Sequence, residues 1–160
     1  MRRLIGITLL GLFAVAVAIH AQSSGRSSNQ ASAKANPLVG AWKVTEIDDV
    51  NKPPITNPQP GLYVFTAQHY SFLRINGPAP LPAYPSNAKA TDADKVAVFD
   101  AIFVQSGTYT VTGNMLATKV LVAKSAFVLG SSAQYEFAVN GKELVLTQKS
   151  GAVLKLERVE

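Results

Sequence analysis

The sequence predicts a mainly β protein: an eight-stranded up-and-down antiparallel β-barrel with one α-helix between strands 3 and 4. Three observations favour this fold. From residue 37 onward, short runs of alternating apolar and polar residues are separated by turn residues. Gly113-Asn114 and Asn140-Gly141 are hairpin dipeptides between neighbouring strands. A single segment, residues 91–107, has helical spacing instead. Closure into a barrel removes the exposed edges of such a sheet, and a two-sheet sandwich is the alternative.

Each predicted strand is an apolar run bounded by turn residues. The first strand is followed by four prolines within residues 48–60, and proline cannot donate to a β ladder. In chain order the predicted strands are LVGAWKVTEI (38–47), GLYVFT (61–66), HYSFLRI (69–75), GTYTVT (107–112), MLATKVLVA (115–123), QYEFAV (134–139), ELVLTQ (143–148) and AVLKLERV (152–159).

The segment between the third and fourth strands predicts a helix of three to four turns within residues 91–107. Thr91 and Asp94 form a variant of the capping box with Asp in place of Glu or Gln. Val96, Phe99 and Phe103 recur at helical spacing, which predicts one apolar face.

Residues 1–21 have the pattern of a signal peptide, with two arginines, a mostly apolar run and a small-residue end at Ala21. The apolar run from Leu4 to Ile19 has 16 residues, fewer than the roughly 20 that span a bilayer. We therefore expect export to the periplasm or secretion, and no stable membrane insertion after cleavage. Residues 22–35 are small and polar and predict a disordered linker, which leaves 36–160 as one domain.

The net charge of +5 comes largely from residues outside the predicted domain. Arg2, Arg3, Arg26 and Lys34 precede the domain, which therefore holds 11 basic and 10 acidic residues. Because these basic residues are not clustered, we expect no nucleic-acid partner. The absence of cysteine excludes disulfides, cysteine nucleophiles and thiolate metal sites.

Gly40, one spacer and Trp42 at the start of the first strand resemble the lipocalin signature. In lipocalins the Trp lies across the closed end of the barrel, and an Arg near the end of the last strand stacks on it. This chain has Arg158 near the end of its last strand, on the same face as Leu154 and Leu156. The resemblance therefore implies that Gly40, Trp42 and Arg158 form a structural barrel lock. A guanidinium over an indole contributes roughly 0.5–2 kcal/mol.

A closer resemblance, to the bacterial lipocalin-like domain family, covers nearly all of residues 37–160. The stretches that carry it are LVGAWKVTE, GLYVFTAQHYS and TDADKVAVFDAIFVQSGTYTV. His69 stands where that family tends to place a turn glycine. The resemblance implies an eight-stranded barrel that binds a small hydrophobic or amphipathic molecule.

Two other functions stay open. One is a barrel-type isomerase or cyclase on a lipophilic substrate, with Glu46, Arg74 or a tyrosine as acid or base. The other is a structural or interaction module without a ligand, either a monomer or a homodimer.

Alternation along the strands predicts which side chains line the ligand site. On the first strand the candidates share the face of the tryptophan, and on the sixth and seventh strands polar neighbours make the inward face clear. On the third strand both faces are largely apolar, so the direction stays open. The predicted ligand-binding residues are Val44, Glu46, Tyr70, Phe72, Arg74, Tyr135, Phe137, Leu144 and Leu146.

Glu46 is a carboxylate in phase with Trp42 and Val44. If it is buried it must be paired or protonated, and Arg74 is the expected partner from a neighbouring strand. It would then be a polar group at the base of an apolar pocket. The alternative is a strand that bends or ends near Asp48 and leaves Glu46 in water at the open rim.

No residue is predicted to be catalytic or to ligate a metal, and no cofactor is expected. His69 is the only histidine after residue 21, and a triad, general base or histidine metal site would have to be built on it. Its place at a predicted hairpin turn favours an exposed side chain.

Overall fold

The eight strands form a closed antiparallel barrel in which consecutive strands pair and β8 returns to pair with β1. The computed structural model describes residues 35–77, 79–81, 83–84, 86 and 89–160. Helix α1, Asp92–Ala101, lies in the chain between β3 and β4, so the predicted fold class is confirmed. The strands are β1 Gly40–Asp48, β2 Gly61–Phe65, β3 His69–Ile75, β4 Ile102–Thr112, β5 Met115–Ala123, β6 Ser132–Asn140, β7 Glu143–Gln148 and β8 Val153–Arg158.

The helix is shorter than predicted and buries no side chain. It ends at Ala101 after 10 residues, and Phe103 belongs to β4, opposite Arg74 of β3. Ladder hydrogen bonds to β3 satisfy the backbone here, and this tertiary pairing outweighs the local helical spacing. Val96 and Phe99 are exposed. The predicted apolar helix face of Val96, Phe99 and Phe103 is therefore wrong.

The predicted start of the helix is confirmed. The Thr91 hydroxyl accepts a hydrogen bond from the Asp94 backbone N–H at 3.2 Å, and the Asp94 carboxylate accepts one from the Thr91 N–H at 2.9 Å. The pair thus satisfies two backbone donors that a helix start leaves without partners. The Thr91 hydroxyl also donates to the Asp94 carboxylate at 2.7 Å, and this hydrogen bond, followed by the one from the Thr91 backbone N–H, lowers the pKa of the Asp94 carboxyl group.

One end of the barrel is closed by residues at and before the start of β1. Leu38 and Trp42 are completely buried there, and the Trp42 indole N–H donates to the Leu38 carbonyl oxygen at 2.7 Å. The Asn36 amide donates to the Tyr109 hydroxyl at 2.7 Å. We call this the closed end, and the opposite end, where β1 finishes, the open end.

Arg158 joins the last strand to the first at the closed end. Its guanidinium carbon lies 4.0 Å from the centroid of the Trp42 ring. Nη1 donates to the Val39 carbonyl oxygen at 2.7 Å, and Nη2 donates to the Pro37 carbonyl oxygen at 2.6 Å. One side chain therefore combines a cation–π contact with hydrogen bonds to the segment that covers this end.

Gly40 leaves the space that Arg158 occupies. Its φ of +134° lies in a region that residues with a side chain rarely adopt. A Cβ atom at this position would lie 2.5 Å from Nη1 of Arg158 and 2.5 Å from the Glu160 carbonyl oxygen. Both the backbone conformation and the available space therefore require glycine.

The predicted signal peptide, residues 1–21, and all of the predicted linker except residue 35 lie outside the described residues. Residues 35–160 form one compact unit. In the described part of the chain, no helix has the length and apolar character that crossing a membrane requires.

Replacing Arg158 with methionine tests the contact with Trp42. Met keeps an unbranched apolar stem but removes the cation–π contact and the three hydrogen bonds to the carbonyl oxygens of Pro37, Val39 and Glu160. We expect the free energy of unfolding to fall by about 2–3 kcal/mol, measured by urea denaturation. Lys119→Met is the matched control, because Lys119 is exposed on β5. An equal loss in both variants, or none in Arg158→Met, would contradict the role of Arg158.

Candidate functional site

A cavity of about 250 Å³ opens at the open end of the barrel. Its lining comes from all eight strands, including Tyr63 of β2, and from the loops that join the strands at this end. A wider depression of about 420 Å³ beside Lys142 and Glu157 lies outside the barrel and is open to solvent. The apolar wall of the barrel cavity includes Ile47, Val120, Ala133, Leu146, Val153 and Leu154.

A β-bulge in β1 turns Ile47 into this wall. Val44 pairs with Leu156, but the register then shifts, so that Glu46 pairs with Lys155 and Ile47 with Leu154. The additional residue in β1 reverses the alternation of inward and outward side chains beyond it. Ile47 is consequently buried.

Arg74, near the end of β3, places a positive charge in the cavity. Its guanidinium carbon lies 4.9 Å from the centroid of the Phe103 ring, and its Nε donates to the Asn76 side-chain oxygen at 3.2 Å. The ion pairs in the described part of the chain are Lys52–Asp49, Lys95–Asp92 and Lys155–Glu46. Among the described residues, therefore, no carboxylate forms an ion pair with Arg74.

Two tyrosine hydroxyl groups accompany Arg74 in the cavity. Burial raises the pKa of Tyr63 to about 12, although the nearby Arg74 charge acts in the opposite direction. Burial also raises the pKa of Tyr135, again opposed by Arg74. Both phenols therefore stay protonated at neutral pH, where each can donate one hydrogen bond and accept others.

An aromatic cluster fills the interior between the cavity and the closed end. The Tyr63 and Phe72 rings stack with centroids 4.0 Å apart and planes inclined by 12°. Tyr70 lies 4.3 Å and Phe65 lies 5.5 Å from Phe72, centroid to centroid. Such packed aromatic pairs leave no space for a ligand, so the cavity is confined to the open half of the barrel.

The Tyr70 hydroxyl group is buried and has no hydrogen-bond partner within the described ranges. The Thr118 hydroxyl lies next to the Tyr70 hydroxyl, but it donates its hydrogen bond to the Ala133 carbonyl oxygen at 3.3 Å. Burial raises the pKa of Tyr70, which holds the hydroxyl in its neutral form.

The family model for a lipocalin-like domain matches residues 39–159. The chain belongs to the lipocalin-like domain family. The expected resemblance is therefore confirmed. Among solved structures, a lipocalin-like protein from Bacteroides uniformis is 10% identical with a TM-score of 0.49, and the match covers 77% of this chain and 99% of that one. An uncharacterized protein from Bacteroides eggerthii is 9% identical with a TM-score of 0.48, covering 76% and 98%. No curated protein matches the sequence.

Three predicted ligand-binding residues of this lipocalin-like domain line the cavity: Arg74, Tyr135 and Leu146. A second group is buried in the packed core and does not line it. That these residues contact a ligand stays a prediction, and the position of the cavity does not favour it. The group consists of Val44, Tyr70, Phe72, Phe137 and Leu144.

Glu46 faces away from the interior, so the prediction that it shares a face with Trp42 and Val44 is wrong. The bulge in β1 turns the Glu46 side chain outward. Its carboxylate forms an ion pair with the Lys155 ammonium group on the outer side of β8, at 2.9 Å. Arg74, its expected partner, lies in the cavity instead. The ion pair with Glu46 raises the pKa of Lys155.

Several cavity residues were missed by the sequence reasoning. Ile47 was hidden by the bulge, and Phe103 was assigned to the helix. Gln105 is 7% exposed and lies in β4, two residues before the predicted start of that strand. Tyr63 was detectable, because a two-residue turn in GLYVFTAQHYS pairs it with Phe72 and places both rings on one face.

The histidine of β3 lies apart from the cavity lining. His69 is exposed at the start of β3, next to the turn after β2. In the part of the chain that the structure describes, no three His, Cys, Asp or Glu side chains converge as metal ligands would.

The raised pKa of Tyr63 predicts a loss of stability in alkali. An unfolded tyrosine ionises near pH 10, whereas the folded one keeps its proton until about pH 12. The unfolded state therefore releases its proton first, and stability falls between these two values. Between pH 8 and 11, we expect the wild type to lose about 1 kcal/mol more unfolding free energy than Tyr63→Phe.

Urea denaturation at both pH values measures this difference. Tyr84→Phe is the control, because Tyr84 lies outside the barrel strands. Equal losses in the wild type and Tyr63→Phe would show that the Tyr63 hydroxyl ionises as freely in the folded state as in the unfolded state.

Proposed function

We propose that this lipocalin-like protein binds a small hydrophobic or amphipathic molecule in the cavity at its open end. The observation that carries the proposal is a cavity of about 250 Å³ whose wall is mainly apolar but which contains an arginine and two tyrosine hydroxyl groups. Ligand sites commonly combine an apolar lining with a few polar groups that fix the orientation of the ligand.

The division of the barrel interior supports this role. Trp42, Phe65, Phe72 and Leu144 fill the closed half and leave side chains there fully buried. A barrel that served only as a scaffold would gain stability by filling the open half too, because unfilled apolar space costs packing energy. The open half instead keeps space beside Ala133, one of the smallest side chains on its wall.

We also propose that the protein acts outside the cytoplasm, in the periplasm or after secretion. The support is the signal-peptide pattern of residues 1–21, with its two arginines and 16-residue apolar run. The lack of cysteine fits a fold that depends on its core and not on disulfides in an oxidising compartment.

The isomerase or cyclase alternative named Glu46, Arg74 or a tyrosine as its acid or base, with Glu46 as its main support. Because Glu46 pairs with Lys155 on the outer surface, that alternative loses its main acid–base candidate. Binding without chemistry therefore has the better support.

Native mass spectrometry tests the proposed function. The protein is purified from its own host and its mass is compared before and after organic extraction. We expect a bound mass that extraction removes. Ala133→Phe, which fills the cavity, should abolish this mass. Ala138→Phe is the matched control, because Ala138 lies on the same strand with its side chain exposed. A wild type without a bound mass, or the same bound mass in Ala133→Phe, would overturn the proposal.

A second candidate function is an interaction module. Leu62 and Leu73 face each other on the outer side of β2 and β3 and are 43% and 50% exposed, because the helix does not cover them. Exposed apolar pairs of this kind occur in protein interfaces. This candidate predicts a dimeric mass by light scattering at high protein concentration, and a monomeric mass for Leu62→Ser/Leu73→Ser. A wild-type mass equal to one chain at every concentration would exclude a homodimer.

A further inference from the structure

We propose that the ligand is a small amphipathic monocarboxylate whose carboxylate binds Arg74 while its apolar body lies against the cavity wall. This inference rests on the proposed function and specifies its ligand class. The observation behind it is a guanidinium in a largely apolar cavity that forms no ion pair with the described carboxylates.

The charged residues of the described cavity lining are Arg74 and Asp49, and of these two only Asp49 has an ion-pair partner among the described residues. Asp49 is the acidic residue of the described lining. Its carboxylate lies 3.4 Å from the ammonium group of Lys52, a residue that does not line the cavity. The other polar lining groups, among them Gln105 and Ser131, are neutral. A cation in surroundings of low dielectric is stabilised by an anion far more than the same cation is in water.

The orientation of Arg74 leaves donors available for such an anion. Its Nε–H is used by the Asn76 side chain, and its planar group lies over the Phe103 ring. These two contacts fix the plane of the guanidinium, and Arg74 also shares a side-chain hydrogen bond with Tyr63. An arginine has five N–H donors, so N–H groups remain for an anionic ligand. A carboxylate fits two parallel N–H donors of an arginine, which makes it the matching ligand group.

The hydroxyl groups of Tyr63 and Tyr135 add donors on the same side. Both groups are close enough to the guanidinium for its charge to act on their pKa values. As neutral phenols, each can donate to an anionic oxygen. Arg74, Tyr63 and Tyr135 thus form a donor cluster, whereas Asp49, the carboxylate of the described lining, already pairs with Lys52.

The volume limits the size of the ligand. Since a water molecule takes up about 30 Å³ in the liquid, a cavity of about 250 Å³ holds on the order of ten non-hydrogen atoms. The lining includes branched aliphatic side chains, among them Leu146 and Leu154. An unbranched medium-chain carboxylate such as octanoate meets both the size and the polarity.

Isothermal titration calorimetry with octanoate and 1-octanol tests the charge requirement, since the two probes share the same chain. We expect octanoate to bind about tenfold or more tightly than octanol. In Arg74→Gln, the affinity for octanoate should fall about tenfold or more, while the affinity for octanol changes less than about twofold. Lys119→Gln removes one positive charge from the outer wall and should change neither.

A second variant guards against a general disturbance of the fold by Arg74→Gln. Tyr135→Phe keeps the ring but removes a hydroxyl donor, and it should weaken octanoate by about threefold or more without weakening octanol. Thermal unfolding of each variant shows whether the barrel is intact. If Arg74→Gln weakens both probes equally, Arg74 is a structural residue of the cavity and the inference is overturned.

The remaining outcomes separate this inference from the proposed function. Equal affinity of the wild type for octanoate and octanol would overturn the carboxylate preference and leave an apolar binding protein. Failure of both probes to bind at about 1 mM would overturn the inference as well. The host-purified protein then decides the proposed function independently, by whether it carries an extractable mass.

Discussion

The pairing of β8 with β1 closes the sheet, and the contents of the barrel depend on its register. At the closed end, Trp42 lies opposite Arg158, whose guanidinium covers the indole ring and reaches the backbone before β1. Toward the open end, the bulge after Val44 turns Ile47 inward and Glu46 outward. If the pairing shifted by one residue, a carboxylate would enter the apolar interior, at a cost of several kcal/mol.

This closure divides the interior into two parts with different physical character. Toward the closed end, stacked and edge-on aromatic rings around Phe72 are packed without space for another molecule. Toward the open end, small and aliphatic side chains surround a space that contains the Arg74 guanidinium. The aromatic packing and the proposed binding cavity therefore lie in different halves of one barrel, and Ile47, Tyr63 and Leu146 belong both to the core and to the cavity wall.

The sequence was sufficient for the architecture because its signals are local. Hairpin dipeptides, strand alternation and the Thr91–Asp94 cap each depend on a few neighbouring residues, and all three appear in the structure. The candidate site was only partly predictable, because it depends on cross-strand register. The β1 bulge has no local signature and reversed the direction of Glu46, while Phe103 fits a helix face locally but pairs with Arg74 across the sheet. Arg74 itself was a candidate of uncertain direction, since both faces of its strand are apolar.

A crystal structure of the protein grown with octanoate is the most direct test of the account as a whole. We expect electron density for the chain along the wall formed by Ile47, Leu146 and Leu154, with both carboxylate oxygens within hydrogen-bonding distance of Arg74. Such a result would support both the ligand cavity in the open half of the barrel and its proposed preference for a carboxylate. An open half filled by side chains, or octanoate bound only outside the barrel, would contradict the central claim that this fold encloses an anion-selective binding site.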